Sequence, residues 1–389
     1  MWRDGDVARR RIGLVAPPWV PVPPPEYGGT ELVIDQLARG LAAAGHEVVL
    51  FTTGDATCPV HRGWFHARAL GTTADQLGEL AHVQVAYDAF ADMDIVHDHT
   101  LLGPLWAPRV GLRAPLVTTM HSEMVPTLHT LYEVIGRDAA VIAISHDQRR
   151  RADRVPIAAV IHHGIDVEHM PLGDGDGGYV VFLGRMSPAK GVHRAIAAAR
   201  AAGRRIVIAA KMWEPTEHEY FRDVVEPILG PDATYIGQVG GHHKQELLAG
   251  AAALVNPIRW PEPFGLVMIE ALAAGTPVVA FAEGAAPEIV DHGRTGFLSA
   301  DTEQMATDLG LVDTIDRAAC RRAAIERFST ARMVADHVAL YERLLAGRTG
   351  GAGDRRSATD QSSSDTFAPP ATGGGEVPTA RTMRHASMA

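Results

Sequence analysis

Short apolar runs alternate with amphipathic stretches along most of the chain. The run from Arg11 to Ala16 predicts a strand, and residues 30–44 predict a helix because their apolar positions recur every three or four residues. The run from His46 to Thr52 predicts the next strand. This order of strand, helix and strand is typical of parallel βαβ units. Further strands are predicted in this half of the chain at 94–97, 115–119, 139–144 and 159–162.

A glycine-rich break at 171–178 divides this pattern into two halves. The segment is too rich in glycine for the interior of a helix or strand, and it predicts a flexible linker. The alternation then resumes, with strands predicted at 179–183, 205–209, 233–236, 252–255 and 277–281. We therefore expect an α/β fold of two Rossmann-like domains that face each other across a cleft, where ligands bind in doubly wound folds. The predicted order is an N-terminal domain (1–168), a linker (169–178), a C-terminal domain (179–328), a last helix (329–346) and a disordered tail (347–389).

Composition and charge exclude several classes of protein. The chain has 46 acidic against 36 basic residues, a net charge of -10, whereas a general nucleic-acid binder is expected to be basic. The two cysteines, Cys58 and Cys320, lie too far apart in sequence for a metal motif and are too few for a disulfide framework. The first apolar run is too short for a signal peptide or a membrane span, so we expect a cytoplasmic protein.

The segment from 259 to 277 carries the strongest chemical signal in the chain. Pro263 and Gly265 predict a tight turn, and a helix is predicted directly after it. The first amide groups of a helix have no partner within the helix, so they form a site for a phosphate that needs no metal ion. The free amides here are those of Phe264, Gly265 and Leu266.

Two glutamates flank this predicted anion site. Glu262 precedes the helix and Glu270 lies about two turns along it. Carboxylates accept hydrogen bonds from vicinal sugar hydroxyls, so the combination suits a nucleotide-sugar. The alternative is a charge at the helix start for Glu262 and a solvated helix face for Glu270. The apolar neighbours of Glu270 disfavour that alternative.

Basic residues form a second candidate for phosphate binding. Arg185 and Lys190 flank a loop that opens a helix, and two cations beside the positive end of a helix could hold a diphosphate. The alternative is a surface arginine followed by a lysine at a helix start. Only three of the 36 basic residues are lysines, namely Lys190, Lys211 and Lys244. Lys211 follows a predicted strand and is expected to point toward the same cleft.

Glycines and histidines near predicted strand ends complete the candidates. Gly28 and Gly29 precede the first helix and would let the backbone approach a ligand closely. They do not match the Gly-x-Gly-x-x-Gly pattern, which disfavours a nicotinamide cofactor. His121 lies at a strand end that faces the cleft. A metal site at 97–99 is disfavoured because neighbouring side chains of an extended segment point to opposite faces, so a structural or acceptor-side role is expected there.

The paired glutamates in their Pro-Phe-Gly context resemble the motif of family-4 retaining glycosyltransferases, which have the GT-B fold. The segment 184–191 resembles the Gly-Arg-x4-Lys-Gly pattern of the same family, and the resemblance extends over roughly 11–345. It implies that Glu262 contacts donor-sugar hydroxyls and that Glu270 contacts the ribose. It also implies that the last helix crosses back to the N-terminal domain.

The same resemblance implies roles for further residues, whose sequence pattern alone does not indicate a function. Gly28 and Gly29 would lie against the donor diphosphate, and His121 would lie beside the donor sugar. The region that ends at Val239 would contact the nucleotide base. The amides of Phe264, Gly265 and Leu266 would hold sugar and phosphate.

The expected reaction is transfer of a sugar from a nucleotide-diphosphate sugar to an acceptor hydroxyl with retention, without a cofactor or metal ion. The acceptor is left open among a sugar, a lipid-linked molecule and a small molecule. The alternatives are a nucleotide-sugar hydrolase or epimerase with a GT-B-like fold and a non-catalytic nucleotide-sugar-binding protein. A peripheral membrane contact through arginine clusters at 9–11 and 149–151 is disfavoured, because residues 1–165 hold 14 arginines against 18 acidic residues.

Overall fold

Two parallel β-sheets form the framework of the protein. The computed structural model describes residues 8–26 and 28–354 of the 389-residue chain. Within these residues one sheet has seven strands and the other has six. The strands of the first sheet are β1 (Arg11–Val15), β2 (Glu47–Thr52), β3 (His61–Trp64), β4 (Ile95–Asp98), β5 (Leu116–Thr119), β6 (Ala139–Ala143) and β7 (Ile157–Val160). Those of the second are β8 (Val180–Arg185), β9 (Ile206–Lys211), β10 (Ala233–Tyr235), β11 (Leu254–Asn256), β12 (Val278–Phe281) and β13 (Gly296–Ser299).

Each sheet reverses its strand order near its centre. The first sheet runs β3-β2-β1-β4-β5-β6-β7 and the second β10-β9-β8-β11-β12-β13, with every neighbouring pair parallel. Parallel strands covered on both faces are built from continuous apolar runs, and Ile12, Leu14 and Val15 of β1 are fully buried. The loops on either side of a reversal leave a crevice at the carboxyl ends of the strands, where ligands bind in such folds.

Helices cover both sheets and supply the connections between parallel strands. Several begin at a side-chain cap, which explains their start points: Asp75, Ser145, Asp301 and Asp316 each accept a hydrogen bond from a backbone amide of the first turn. No helix in the described ranges has the length and apolar character needed to cross a membrane. The helices are α1 (Gly29–Ala43), α2 (Gln76–Ala89), α3 (Gly103–Val110), α4 (Pro126–Ile135), α5 (His146–Arg151), α6 (Val192–Ala201), α7 (Pro215–Tyr220), α8 (Gly241–Gly250), α9 (Leu266–Ala273), α10 (Ala286–Ile289), α11 (Thr302–Leu309), α12 (Arg317–Phe328) and α13 (Thr330–Asp354).

The glycines of the predicted linker allow close packing of the backbone. A Cβ atom on Gly173 would lie 2.0 Å from the carbonyl oxygen of Ala249, so no larger residue is accommodated there. The amide of Gly177 donates to the carbonyl of Gly250 at 3.0 Å. The backbone of Gly173 and Gly177 is therefore held against the second half of the chain, and the flexibility of the linker stays a prediction.

The last helix crosses back to the first half, as expected. Met333, Val334 and Tyr341 of α13 are buried in the same core cluster as Ile12 of β1. A Cβ atom on Gly40 of α1 would lie 2.5 Å from a methyl group of Val334, so α1 and α13 are in close contact. The helix, predicted at 329–346, spans Thr330–Asp354. The rest of the predicted tail, 355–389, lies outside the described residues.

Buried histidines link this helix to the first sheet. Both ring nitrogens of His97 on β4 are hydrogen-bonded, one to the hydroxyl of Tyr341 at 2.7 Å and the other to Thr119 at 2.8 Å. Its ring stacks on that of His99 with 4.1 Å between the ring centroids. Burial lowers the pKa of His97, His99 and His337, so these rings are neutral at pH 7.

Acidification is predicted to destabilise the fold through these neutral rings. Burial lowers the pKa of His82, His121 and His337 to about 4, from an ordinary 6.5. Between these values the unfolded chain binds protons that the folded chain does not, so the free energy of unfolding falls as the pH drops from about 7 toward 4. Burial raises the pKa of Glu31 to about 7 and that of Asp98 to about 6, which opposes the effect over the same range with fewer groups. The melting temperature at pH 5 should therefore lie below that at pH 7.5.

A single variant tests the cause of this pH dependence. His82 lies on α2, away from the cleft, and its Nε2 donates to the carbonyl of Ala16 at 3.1 Å. His82→Gln keeps an amide donor there but cannot be protonated in this range. Its melting temperature should fall less between pH 7.5 and pH 5 than that of the wild type. An equal fall in both proteins would refute the histidine explanation.

Candidate functional site

A cavity of about 420 Å³ lies between the carboxyl ends of the two sheets. This volume is within the range of small-molecule sites. The first half contributes the loop after β1, and the second half contributes the end of β8, the start of α8 and the loop before α9. The predicted site residues that line it are Gly28, Gly29, His121, Lys190, Val239, Glu262, Phe264, Gly265, Leu266 and Glu270. Lining residues that the sequence patterns did not single out include Gln36, Gln245 and Asn256.

The N-terminus of α9 opens into this cavity. Gly265 has a φ of +97°, the left-handed region that favours glycine, and a Cβ atom there would lie 2.6 Å from the end of Met268. The turn brings the backbone of residues 263–267 to the cavity wall. Since α9 begins at Leu266, its first amides have no partner within the helix and can bind an anion.

Each of the two glutamates is paired with a lysine. The Nζ atom of Lys190 lies 2.5 Å from Oε2 of Glu262, and Nζ of Lys244 lies 2.6 Å from Oε1 of Glu270. The Glu270 side chain is only 8% exposed, which excludes the alternative that Glu270 lies on a solvated face of its helix. Both ion pairs border the cavity, so carboxylate and ammonium groups are presented there together.

Lys244 is a charged residue of the cavity wall to which the sequence patterns assigned no role. It lies on α8, whereas Glu270 lies on α9, and the two helices pack together only in the folded chain. The one signal in the sequence was the scarcity of lysine, which marked Lys244 without saying what it contacts.

Arg185 and Lys211 are the predicted site residues that do not line the cavity. They are register partners at the ends of β8 and β9. The Nζ atom of Lys211 lies 3.7 Å from the centroid of the Trp213 ring, and burial together with the nearby Arg185 lowers the pKa of Lys211. The cavity wall reaches Gly184 but not the residue after it. Of the predicted pair only Lys190 borders the cavity, and the joint action of Arg185 and Lys190 on a diphosphate stays a prediction.

The glycine loop of the first half touches α9 of the second. A Cβ atom on Gly29 would lie 3.3 Å from Cδ1 of Leu266, and one on Gly28 would lie 2.7 Å from Oε2 of Glu31. A side chain at Gly29 would therefore crowd Leu266 at the start of α9, whereas one at Gly28 would collide with its own loop.

A row of neutral histidines forms another wall of the cavity. His121 and His163 both border it, and their ring centroids are 5.5 Å apart. Nε2 of His121 lies 2.9 Å from Nδ1 of His99, so one of these nitrogens donates to the other. Burial lowers the pKa of His121 to about 4, so at pH 7 its ring acts as a neutral hydrogen-bonding group.

The side chains of His97 and Asp98 are hydrogen-bonded to neighbouring residues of the fold, as expected for a structural role. The hydroxyl of Tyr87 donates to the carboxylate of Asp98, and the amide of Thr100 also donates to it at 2.7 Å. His97 is engaged with Thr119 and Tyr341 as described above.

Among the described residues, one group has the composition of a metal site: His146, His162 and Glu288, whose ligand atoms lie within 4.8 Å of one another. None of the three lines the cavity. The Glu288 carboxylate already accepts hydrogen bonds from Nε2 of His162 at 2.9 Å and from the amides of His146 and Asp147 at 2.8 and 2.7 Å. These bonds join the two halves of the chain, so the group is explained as a structural contact. Metal independence of the cavity stays a prediction.

Comparison with known proteins gives matches over both halves. The family described as Glycosyltransferase Family 4 matches residues 27–169, and Glycosyl transferases group 1 matches residues 177–311. A phosphatidyl-myo-inositol mannosyltransferase of Mycolicibacterium smegmatis is 30% identical over 329 residues, which covers 74% of this chain and 80% of the relative. A D-inositol 3-phosphate glycosyltransferase of Mycobacterium tuberculosis is 30% identical over 349 residues, which covers 74% and 72% of the two chains.

Solved structures share the same architecture. AviGT4, a glycosyltransferase involved in avilamycin A biosynthesis, superposes with a TM-score of 0.69 at 28% identity and covers 87% of this chain and 98% of its own. Anabaena HepE in complex with UDP and glucose has a TM-score of 0.68 at 19% identity, covers 88% and 100%, and shows the shared fold alone. Together with the two facing sheets, these matches show that the chain belongs to family 4 of the glycosyltransferases and has their GT-B fold.

Proposed function

We propose that this glycosyltransferase uses a nucleotide-diphosphate sugar as donor and transfers the sugar to an acceptor hydroxyl with retention of anomeric configuration. The observation that carries the proposal is the convergence of free helix amides, two ammonium groups and two carboxylates on one cavity. Amides and ammonium suit a diphosphate, and carboxylates suit the hydroxyls on either side of it. The HepE structure, which holds UDP and glucose in the same fold, supports this choice of donor.

The proposed donor lies along the cavity from α8 to the loop before α9. Its diphosphate faces the amides at Gly265 and Leu266, with the Gly28–Gly29 backbone opposite. The transferred sugar contacts Glu262 and His121, and the ribose contacts Glu270. Lys190 borders the same cavity, and in this arrangement its ammonium group contacts the diphosphate.

Charge stabilisation of the leaving group supplies the main catalytic effect. As the bond between the anomeric carbon and the diphosphate breaks, negative charge grows on the departing oxygen, and preorganised amide and ammonium groups stabilise it. The acceptor oxygen bonds to the anomeric carbon on the face that the diphosphate leaves. Its proton passes to the departing phosphate oxygen, so no separate base and no metal ion enter the step.

Removal of the Lys190 ammonium tests this stabilisation. Lys190→Ala should lower kcat by roughly 10²- to 10³-fold, the usual effect of losing one donor of this kind. Steady-state rates with the preferred donor give the measurement. Arg200→Ala is the control and should transfer at the wild-type rate, because Arg200 pairs with Asp232 on the exposed surface. A near-wild-type kcat for Lys190→Ala would exclude the proposed role.

The products test the reaction type. With an α-linked donor, nuclear magnetic resonance should show an α-linked glycoside on the acceptor, at a rate unchanged by a chelator of divalent metals. A thermal-shift screen against nucleotide-sugars selects the donor beforehand, since a bound ligand raises apparent stability. A β-linked product would exclude retention. Free sugar as the sole product with every acceptor tried would identify a hydrolase instead.

A further inference from the structure

Two lysine–glutamate ion pairs lie along the segment that contains α9. Lys190–Glu262 involves the loop before the helix, and Lys244–Glu270 involves its second turn. The side chains of the second pair are 18% and 8% exposed. Both Lys244 and Glu270 nevertheless border the cavity, so the part of each that is accessible faces the ligand space.

A largely buried ion pair is a poor source of stability. Removing two charges from water costs several kcal/mol, and apolar side chains of similar volume often stabilise a protein equally well or better. Apolar side chains would fit the surroundings of this pair, because Met268, Ile269 and Ala271 next to Glu270 are all buried. The location of this pair at the cavity wall therefore points to a ligand.

The two oxygen atoms of the Glu270 carboxylate differ in their hydrogen bonding. Oε1 accepts from Nζ of Lys244 at 2.6 Å, while Oε2 and the second acceptor position of Oε1 remain for other donors. A charged hydrogen bond to one oxygen restricts the motion of the carboxylate, and the burial of the Glu270 side chain, which is 8% exposed, restricts it further. Two adjacent hydroxyl groups can then donate to it together, and a single hydroxyl leaves one acceptor position unmatched.

We propose that Lys244 is a positioning residue, which fixes the Glu270 carboxylate so that the site selects ribose over 2′-deoxyribose in the donor nucleotide. The inference rests on the proposed function, because it takes the ligand of Glu270 to be a nucleoside diphosphate. Lys244 acts through Glu270 and does not contact the reacting atoms. Its loss therefore weakens nucleotide binding and selectivity, whereas loss of Lys190 lowers kcat.

Calorimetric binding of nucleoside diphosphates tests the inference without an acceptor. The probes are two pairs, UDP with 2′-deoxy-UDP and GDP with 2′-deoxy-GDP, and the pair whose ribonucleotide binds more tightly is used. The wild type should prefer the ribonucleotide by about tenfold or more, the usual value of a hydrogen bond to a charged group. In Lys244→Met the preference should fall to within about twofold, while Lys244→Arg should keep most of it.

Two further variants separate positioning from general damage. His243→Met places the same new side chain on the same helix at an exposed neighbouring position and should keep the wild-type preference. Glu270→Gln combined with Lys244→Met should lose no more selectivity than Glu270→Gln alone, because residues that act through one another are non-additive. If Lys244→Met does not fold, as its melting curve would show, Lys244→Gln is measured in its place.

The outcomes are distinguishable. A wild type that binds no ribonucleoside diphosphate, with ADP and CDP tried after UDP and GDP, would refute the proposed function, and this inference with it. A wild type that binds one of them with no preference over its deoxy form would overturn the inference alone. So would a folded Lys244→Met protein with the wild-type preference, or additive losses in the double variant.

Discussion

The site depends on the requirement that carboxylates enclosed by protein have cationic partners. Glu262 and Glu270 face a cavity between two sheets, and each is held by a lysine within 2.6 Å. A charge buried without such a partner would cost several kcal/mol. The partners come from other segments, since Lys190 precedes α6 and Lys244 lies on α8. The two acids can thus remain at the cavity wall, available to hydroxyl groups, only while the second sheet and its helices are packed together.

Contacts between the two halves of the chain hold the histidine wall of the cavity in place. Glu288 of the second half accepts hydrogen bonds from the start of α5, and Arg332 of α13 donates to the carbonyl oxygens of His162 and His163 at 2.6 and 2.9 Å. These bonds fix the backbone that carries His163 beside the ligand space. The neutral histidines of this wall supply hydrogen-bonding groups without adding positive charge to the cavity.

Much of the fold was predictable because a continuous run of apolar residues indicates a buried strand. Strands covered on both faces are continuously apolar, and those predicted at 11–16, 46–52 and 277–281 correspond to β1, β2 and β12. The patterns missed β3, His61–Trp64, and β13, Gly296–Ser299. Both lie at sheet edges. None of the residues of β3 is buried, so it carries no apolar run. Most of β13 is buried, but it begins with Gly296 and ends with Ser299, so its apolar run is too short to indicate a strand. The glycines at 173–178 predicted a linker, but composition alone does not show that the backbone of Gly173 packs closely against that of Ala249.

The sequence by itself determined the parallel α/β architecture and the local chemistry of one segment: a glycine turn, the helix start at Leu266 and the glutamates on either side. These follow from residues adjacent in the chain, whose geometry is set by local backbone preferences. Only the tertiary structure decided which cation faces which acid. It placed Lys244 against Glu270, which lies 26 positions further along the chain, and it left Arg185 beside Lys211 outside the cavity wall. The physical reason is that ion pairs between separate segments form when helices pack, and no local pattern encodes that distance.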